Sequence, residues 1–318
     1  MPTSIGYGDG YEVSYMNSGK MTNKGWEFRV DAVPFENRDW RVGFYFNIAH
    51  NENKITEMPD NYTEENYTFN NGEYAYRREE GRPMGSFYGY RYKGVCQNKD
   101  ATYARDADGN VMKDISGNAI VMRNGTATIA PGDALYEDIN HDGVINQYDI
   151  VYLGNSNPRF TGGAGVNVSY KQFKLSAIFY GRYGQDVVNS TRLNNESMRG
   201  IDNQSTAVLR RWRNEGDQTD IPRALYGEGY NTLGSDRFVE DASYLRLKSL
   251  SFNYRLPKKI IQRWGFSNID VYVTGYNLFT WTKYTGQDPE VKTENTYARD
   301  SATTPASIQL VAGFNLSF

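Results

Sequence analysis

Residues 138–149, Asp-Ile-Asn-His-Asp-Gly-Val-Ile-Asn-Gln-Tyr-Asp, place oxygen-bearing groups at the spacing D-x-[DN]-x-[DN]-G-x5-[DE] of a calcium loop. Asp138, Asn140 and Asp142 occupy positions one, three and five, and Gly143 holds position six, where the chain must turn sharply. Val144 would offer its carbonyl at seven, Asn146 would reach through a water at nine, and Asp149 would close the shell at twelve. Ca2+ is a hard cation that takes about six to eight oxygens, and this one short loop supplies them. Position twelve usually carries Glu; the shorter Asp149 weakens bidentate closure. The competing reading is an Asp/Asn/Gly turn closed by its own hydrogen bonds.

Other reactive side chains are sparse. The histidines are His50, at the end of a strand pattern, and His141, at position four of the loop, which points away from an ion. Cys96 is a lone thiol, so there is neither a disulfide framework nor a zinc set. The carboxylates show no pairing that spacing alone establishes, and an enzyme has little support. Lys plus Arg is 35 against 38 Asp plus Glu, a net charge of −3, and nothing suggests a nucleic-acid partner.

The elements that would carry this loop read as β-strands. Trp26, Phe28, Val30 and Ala32 alternate with Glu27, Arg29 and Asp31 over 25–33. Residues 40–50 repeat the pattern, with Trp40, Val42, Phe44, Phe46 and Ile48 on one face. Strands 160–170 and 173–183 are joined by Lys171-Gln172, a two-residue link that predicts an antiparallel hairpin. In 243–256 the apolar phase changes between Leu247 and Leu250, which predicts a β-bulge near Lys248-Ser249. Strands 269–282 and 308–318 complete seven. Polar stretches 51–158, 184–240 and 283–306 separate them, and the second is expected to hold a short helix over Ser205 to Asn214. A weak alternation at 85–94 is assigned to the first polar stretch.

No apolar run approaches the roughly 18 residues of a spanning helix. Residues 1–20 show no signal peptide, and mean hydropathy is −0.70. Yet aromatics make up 14% of the chain, and the apolar residues alternate instead of clustering. A transmembrane barrel has this combination, because only every second residue meets lipid. Short links at 34–39, 171–172 and 257–268 alternate with long ones, as periplasmic turns alternate with external loops. Seven strands do not close an even-stranded barrel, and open edges are not viable in lipid. The sequence therefore predicts the C-terminal part of a larger protein, or strands borrowed from elsewhere.

Several segments resemble the C-terminal barrel half of the SusC/RagA family of TonB-dependent outer-membrane transporters. They are Asn23–Phe28, Gly81–Gly89, Gly132–Asp149, Asn157–Phe160, Tyr244–Leu247, Asn277–Trp281, Tyr284–Glu290 and the terminal Phe318. The fold expected is all-β: about seven antiparallel strands, over 1–318, of a large plugged barrel of about 22 strands with long external loops. The loop region 51–158 would carry the calcium-type loop at 138–149. The resemblance implies the cell outer membrane, a SusD-like surface lipoprotein as lid, energy from TonB through an N-terminal plug that this sequence does not contain, and an oligosaccharide or peptide substrate. Arg29, Arg41, Asn167, Lys174 and Arg182 face the lumen and would line the route or form ordinary polar interior. Tyr62, Tyr67, Phe69, Tyr74, Tyr76, Tyr88 and Tyr90 would stack on sugar rings or pack the loop. The alternative is a self-contained calcium-binding β-protein, an adhesin or carbohydrate-binding module, whose apolar strand faces would meet each other.

Overall fold

The computed structural model describes residues 2–4, 13–15, 19–58, 70–227, 229–291, 293–294 and 297–318. Its main element is a seven-stranded antiparallel sheet in which each strand pairs with its neighbours in sequence. The strands are β1 (Lys20–Glu36), β2 (Trp40–Glu57), β3 (Phe160–Tyr170), β4 (Phe173–Tyr183), β5 (Tyr244–Arg255), β6 (Asn268–Thr282) and β7 (Gln309–Ser317). The short turns gather at one end: Lys171 N–H donates to the Asp39 carbonyl at 2.7 Å, and Arg255 N–H to that of Gln172 at 2.9 Å. All long connections leave from the other end.

Register turns the period-two pattern into a continuous face. Across the sheet, Ala32, Phe44, Val166, Ala177, Leu250 and Gly275 fall in one row, and Val42, Val168, Leu175, Phe252, Val273 and Ala312 in another. These side chains point outward and stay open: Phe252 is 46% exposed and Val273 42%. At the short-turn end Trp40 packs on Tyr170 and Phe173 on Tyr254. At the loop end Trp26, His50, Phe160 and Tyr183 form a chain of ring contacts. The eleven residues of β3 join the two girdles, roughly 35 Å along the strand and about 25 Å along the normal of a barrel whose strands tilt by ~40°. Among the described residues no second sheet covers this face, contrary to the calcium-binding β-protein alternative.

The bulge in β5 falls where the phase change predicts, between Leu247 and Ser249. Its partner strand accommodates it at Asn277, whose φ of +53° lies in the left-handed region that Asn tolerates. Two boundaries differ from expectation. Strand β1 continues past Pro34, because a register shift between Ala32 and Phe35 takes up the proline. Strand β2 runs on to Glu57, where Asn51–Glu57 pair with Lys20–Gly25.

The buried core lies outside the sheet, in the long connections. Ala75, Tyr88, Tyr90, Cys96, Ile145 and Leu233 belong to one cluster. Tyr74, Phe87, Val188, Leu193, Phe238 and Tyr297 form another, drawn from all three connections. The segment expected to alternate at 85–94 supplies two short strands of this body, Ser86–Gly89 and Tyr92–Val95. The helix expected over 205–214 is instead a 3-10 turn at Thr206–Arg210, capped by the Ser205 hydroxyl. Beyond it Trp212 lies against Gly132, at φ +89°, where any added Cβ would strike the indole.

Candidate functional site

The loop at 138–149 is drawn together by its own acidic side chains. Asp138 Oδ2 accepts from Gly143 N–H at 2.8 Å and Asp142 Oδ1 from Val144 N–H at 2.7 Å. Gly143 takes φ +81°, the sharp turn its position requires. Asn140 donates to Asp142 at 3.0 Å, and Asn146 donates to the Val144 carbonyl at 3.0 Å. Asn146 also caps a 3-10 turn over Gln147–Asp149. Asp149 is fully buried, and its two oxygens accept from Ile139 N–H and Asn146 N–H, both at 2.8 Å. Burial pushes its carboxyl above the usual range; those two N–H groups oppose the shift, and the charges of Asp138 and Asp142 add to it. Among the described residues, no group of three or more His, Cys, Asp or Glu side chains is placed to hold a metal ion. A cation here would therefore depend on the Asn140 amide and the Val144 carbonyl as well as on the carboxylates.

Tyr74, Tyr76, Tyr88 and Tyr90 of the first connection pack inward. Tyr74 donates to the Ser235 carbonyl at 2.8 Å, Tyr88 donates to Glu79 at 2.9 Å beneath Arg77, and Tyr90 lies against Tyr136. Burial raises the phenol pKa of all three. Tyr76 packs on the same body, with Arg78 over its ring. Tyr62, Tyr67 and Phe69 lie outside the described residues. Cys96 is buried, its thiol pushed up to about 11, and so is poorly reactive.

On the polar face of the sheet four of the expected lumenal residues are engaged by polar neighbours. Arg29 forms a two-bond ion pair with Asp31, at 2.6 and 2.9 Å. Arg41 lies 3.7 Å from Glu36, Asn167 accepts from Ser176 at 2.7 Å, and Arg182 donates to Tyr180 at 3.2 Å. Lys174 lines a depression of about 570 Å³ with Asp31, Arg41, Tyr45, Asn167 and Ser169. Where β5 meets the third connection, Arg246 is buried and bonds Thr280, Glu290 and Asp288, and Lys248 also reaches Glu290 at 2.8 Å. Burial works against ionisation of Asp288, but the Ala306 N–H and the Arg246 guanidinium hold its carboxyl below the usual range. This network clamps residues 288–290 onto the wall.

Two features escape the sequence reading. The Arg246 network unites partners 42 and 44 residues apart, a separation no local pattern reveals. The other carried a readable signal: Asp106-x-x-Gly-Asn110 and Asp114-x-x-Gly-Asn118 repeat at eight-residue spacing. In each, the aspartate accepts from the backbone two and four residues on, at 2.8–3.0 Å, in two stacked Asx turns. A polar cavity of about 910 Å³ also opens in the loop body, lined by Asn70, Asn194, Asn195, Asn203, Gln204 and Tyr230 among others.

No protein-family model matches the chain. It is 32% identical over 296 residues to TonB-dependent receptor P3 of Formosa agariphila, covering 90% of this chain and 27% of that protein. To TonB-dependent receptor SusC of Bacteroides thetaiotaomicron it is 25% identical over 312 residues, 95% of this chain and 27% of the relative. Of solved structures, that of the RagAB peptide transporter superposes with a TM-score of 0.68 at 26% identity, over 99% of this chain and 31% of that one. The RagAB peptide importer in its closed-closed state gives 0.69 at 25% identity, again over 99% and 31%. The chain thus spans under a third of the length of these relatives.

Proposed function

We infer the function from one premise: this chain belongs to the SusC/RagA family of TonB-dependent outer-membrane transporters and forms part of its barrel. On that basis it supplies wall and external vestibule to a nutrient importer in the cell outer membrane. Transport would be energised through TonB acting on a plug elsewhere in the protein, beneath a SusD-like surface lipoprotein. The substrate class proposed is an oligosaccharide or a peptide, the second favoured by the likeness to a peptide transporter. The observation that carries the reading is a sheet apolar on one face and charged on the other, crowned at one end by a loop body with its own buried core. Deleting the gene that encodes the full-length protein should abolish uptake of labelled oligosaccharides or of labelled peptides by the source cells. Unchanged uptake of both pools would count against an importer.

Calcium at 138–149 is part of the same proposal. Asp138, Asp142 and Asp149 act on one another electrostatically, and among the described residues none has an ion pair with a basic side chain. Gly143 turns the chain as position six demands. The ion would neutralise this charge and fix the loop near the lid. Replacing Asp138 and Asp142 together by Asn should loosen 130–150 to protease without unfolding the barrel, as a chelator should in the unaltered protein. Identical digestion with and without chelator would leave the loop closed by its own hydrogen bonds.

A further inference from the structure

The outward face of the sheet is not uniform. Gly162 and Gly181 pair across β3 and β4, so two adjacent positions of this row lack side chains, between Ile48 on β2 and Leu245 on β5. The missing bulk leaves a groove of about 660 Å³ at the loop-end girdle. Its flanks are Phe46, Phe160, Tyr183, Leu245 and Trp281, all on the outward parity. Tyr183 and Trp281 stand 61% and 52% exposed and rise as rims around the bare glycine floor. Ala164 continues the floor toward the middle of the belt.

The mouth of the groove is polar. Lys283 lines it, is exposed, and makes no ion pair among the described residues. Arg159, also exposed, precedes Phe160 at the same end. The acidic group at the mouth, Asp241, is engaged by the Ser243 N–H at 2.8 Å and by the Ser243 hydroxyl. An apolar trough at the depth of an aromatic girdle, opening toward an unpaired ammonium, matches a lipid: acyl chain in the trough, anionic headgroup at the cation.

We propose that this groove binds one acyl chain of an anionic, phosphorylated membrane lipid whose headgroup is held by Lys283. The inference rests on the barrel reading above and adds a specific lipid site to it. It gives a use to the two adjacent bare positions, Gly162 and Gly181, between Ile48 and Leu245 at the girdle. The exposed cation then has a partner in the headgroup layer.

The test uses the full-length transporter that contains this chain, reconstituted in nanodiscs of phosphatidylcholine with added phosphatidylglycerol, then released into detergent for native mass spectrometry. The unaltered protein should retain one phosphatidylglycerol about fivefold over phosphatidylcholine, the discrimination one basic side chain gives at a membrane surface. Lys283→Glu should abolish that preference and Lys283→Arg should keep it. Ala164→Phe, which fills the floor, should release both lipids. Heat-modifiable migration on gels reports the barrel separately: its loss in the unaltered protein would sink the barrel reading itself. With the barrel intact, equal retention of the two lipids, or unchanged retention in Lys283→Glu, would overturn the lipid site. A dimer broken by Ala164→Phe at constant lipid content would assign the groove to a second copy and overturn it too.

Discussion

The wall and the loop body solve the same problem in opposite directions. In the wall, apolar side chains such as Val166, Phe252 and Val273 point out and remain open, and charged ones such as Arg29 and Asp31 point to the other side. In the loop body, Phe87, Tyr88 and Phe238 are instead fully buried. A sheet with its apolar face outward is stable only where the medium is apolar, and there its backbone groups must be paired strand to strand. A body with its apolar residues inside is stable only in water. One chain therefore carries two solvents' worth of design, and the boundary between them runs through the girdle of Trp26, His50, Phe160 and Tyr183.

Substitutions should separate the two regions. The largest effect is expected from Phe87→Ala, which empties a fully buried site and costs ~3–5 kcal/mol in the loop body. Limited proteolysis should then cut the long connections while the barrel band stays heat-modifiable. The converse is Val273→Arg, an outward charge within the belt, at a cost of about 2–4 kcal/mol to the inserted barrel. It should impair insertion, read as loss of the heat-modifiable band, and leave surface loop sites untouched. If either substitution disturbs both regions equally, the division fails.

A smaller effect tests the joint between them. Arg246→Ala leaves Asp288 and Glu290 without their shared guanidinium, a loss of roughly 1–3 kcal/mol for a partly buried network. Hydrogen exchange over 284–291 should quicken while β6 stays protected. The smallest effect is one of pH. The Asp106 and Asp114 carboxyls are held down by hydrogen bonds, chiefly from Asn110 and Asn118 N–H, so those turns gain stability above the ordinary value of 3.8 and lose it as pH falls through their lowered values. The carboxyl of Asp149 is raised by burial, so the folded loop binds more protons than the unfolded chain. Without a cation it should tighten as pH falls through that raised value, and loosen as pH rises through it. Hydrogen exchange should thus move in opposite directions at 105–118 and 139–149 on acidification. Bound calcium reverses the second sign, because acid would displace the ion.

The wall was readable because a strand with one face toward lipid and the other toward a polar interior must alternate. Trp40 to Ile48 and Phe160 to Tyr170 announce themselves, and even the bulge after Leu247 leaves its mark as a phase change. The ends of β1 and β2 did not, since Asn23, Lys24, Asn51 and Glu52 are polar on both faces and are held by backbone pairing and polar contacts such as Asn53 to Asn23 at 2.7 Å. The loop body was legible as a place but not as a structure. Its short strands are too brief to show a period, and its core joins Tyr74 to Phe238 and Tyr297, residues whose nearness follows from the pairing of the long strands beneath them. For the candidate calcium loop, spacing placed each side chain at the turn, and the structure adds what spacing cannot carry: Asp149 is buried and already holds two backbone N–H groups.

The central claim is that this face of the sheet meets lipid while the loop body meets water. Spin labels placed singly at 251, 252, 273 and 274 of the full-length transporter in bilayers test it directly, by collision with oxygen and with a water-soluble nickel chelate. The account predicts oxygen contact at 252 and 273 and not at their neighbours 251 and 274, with nickel contact at exposed loop positions such as 115 and 226. Nickel contact at 252 and 273, or shielding from both reagents, would contradict it.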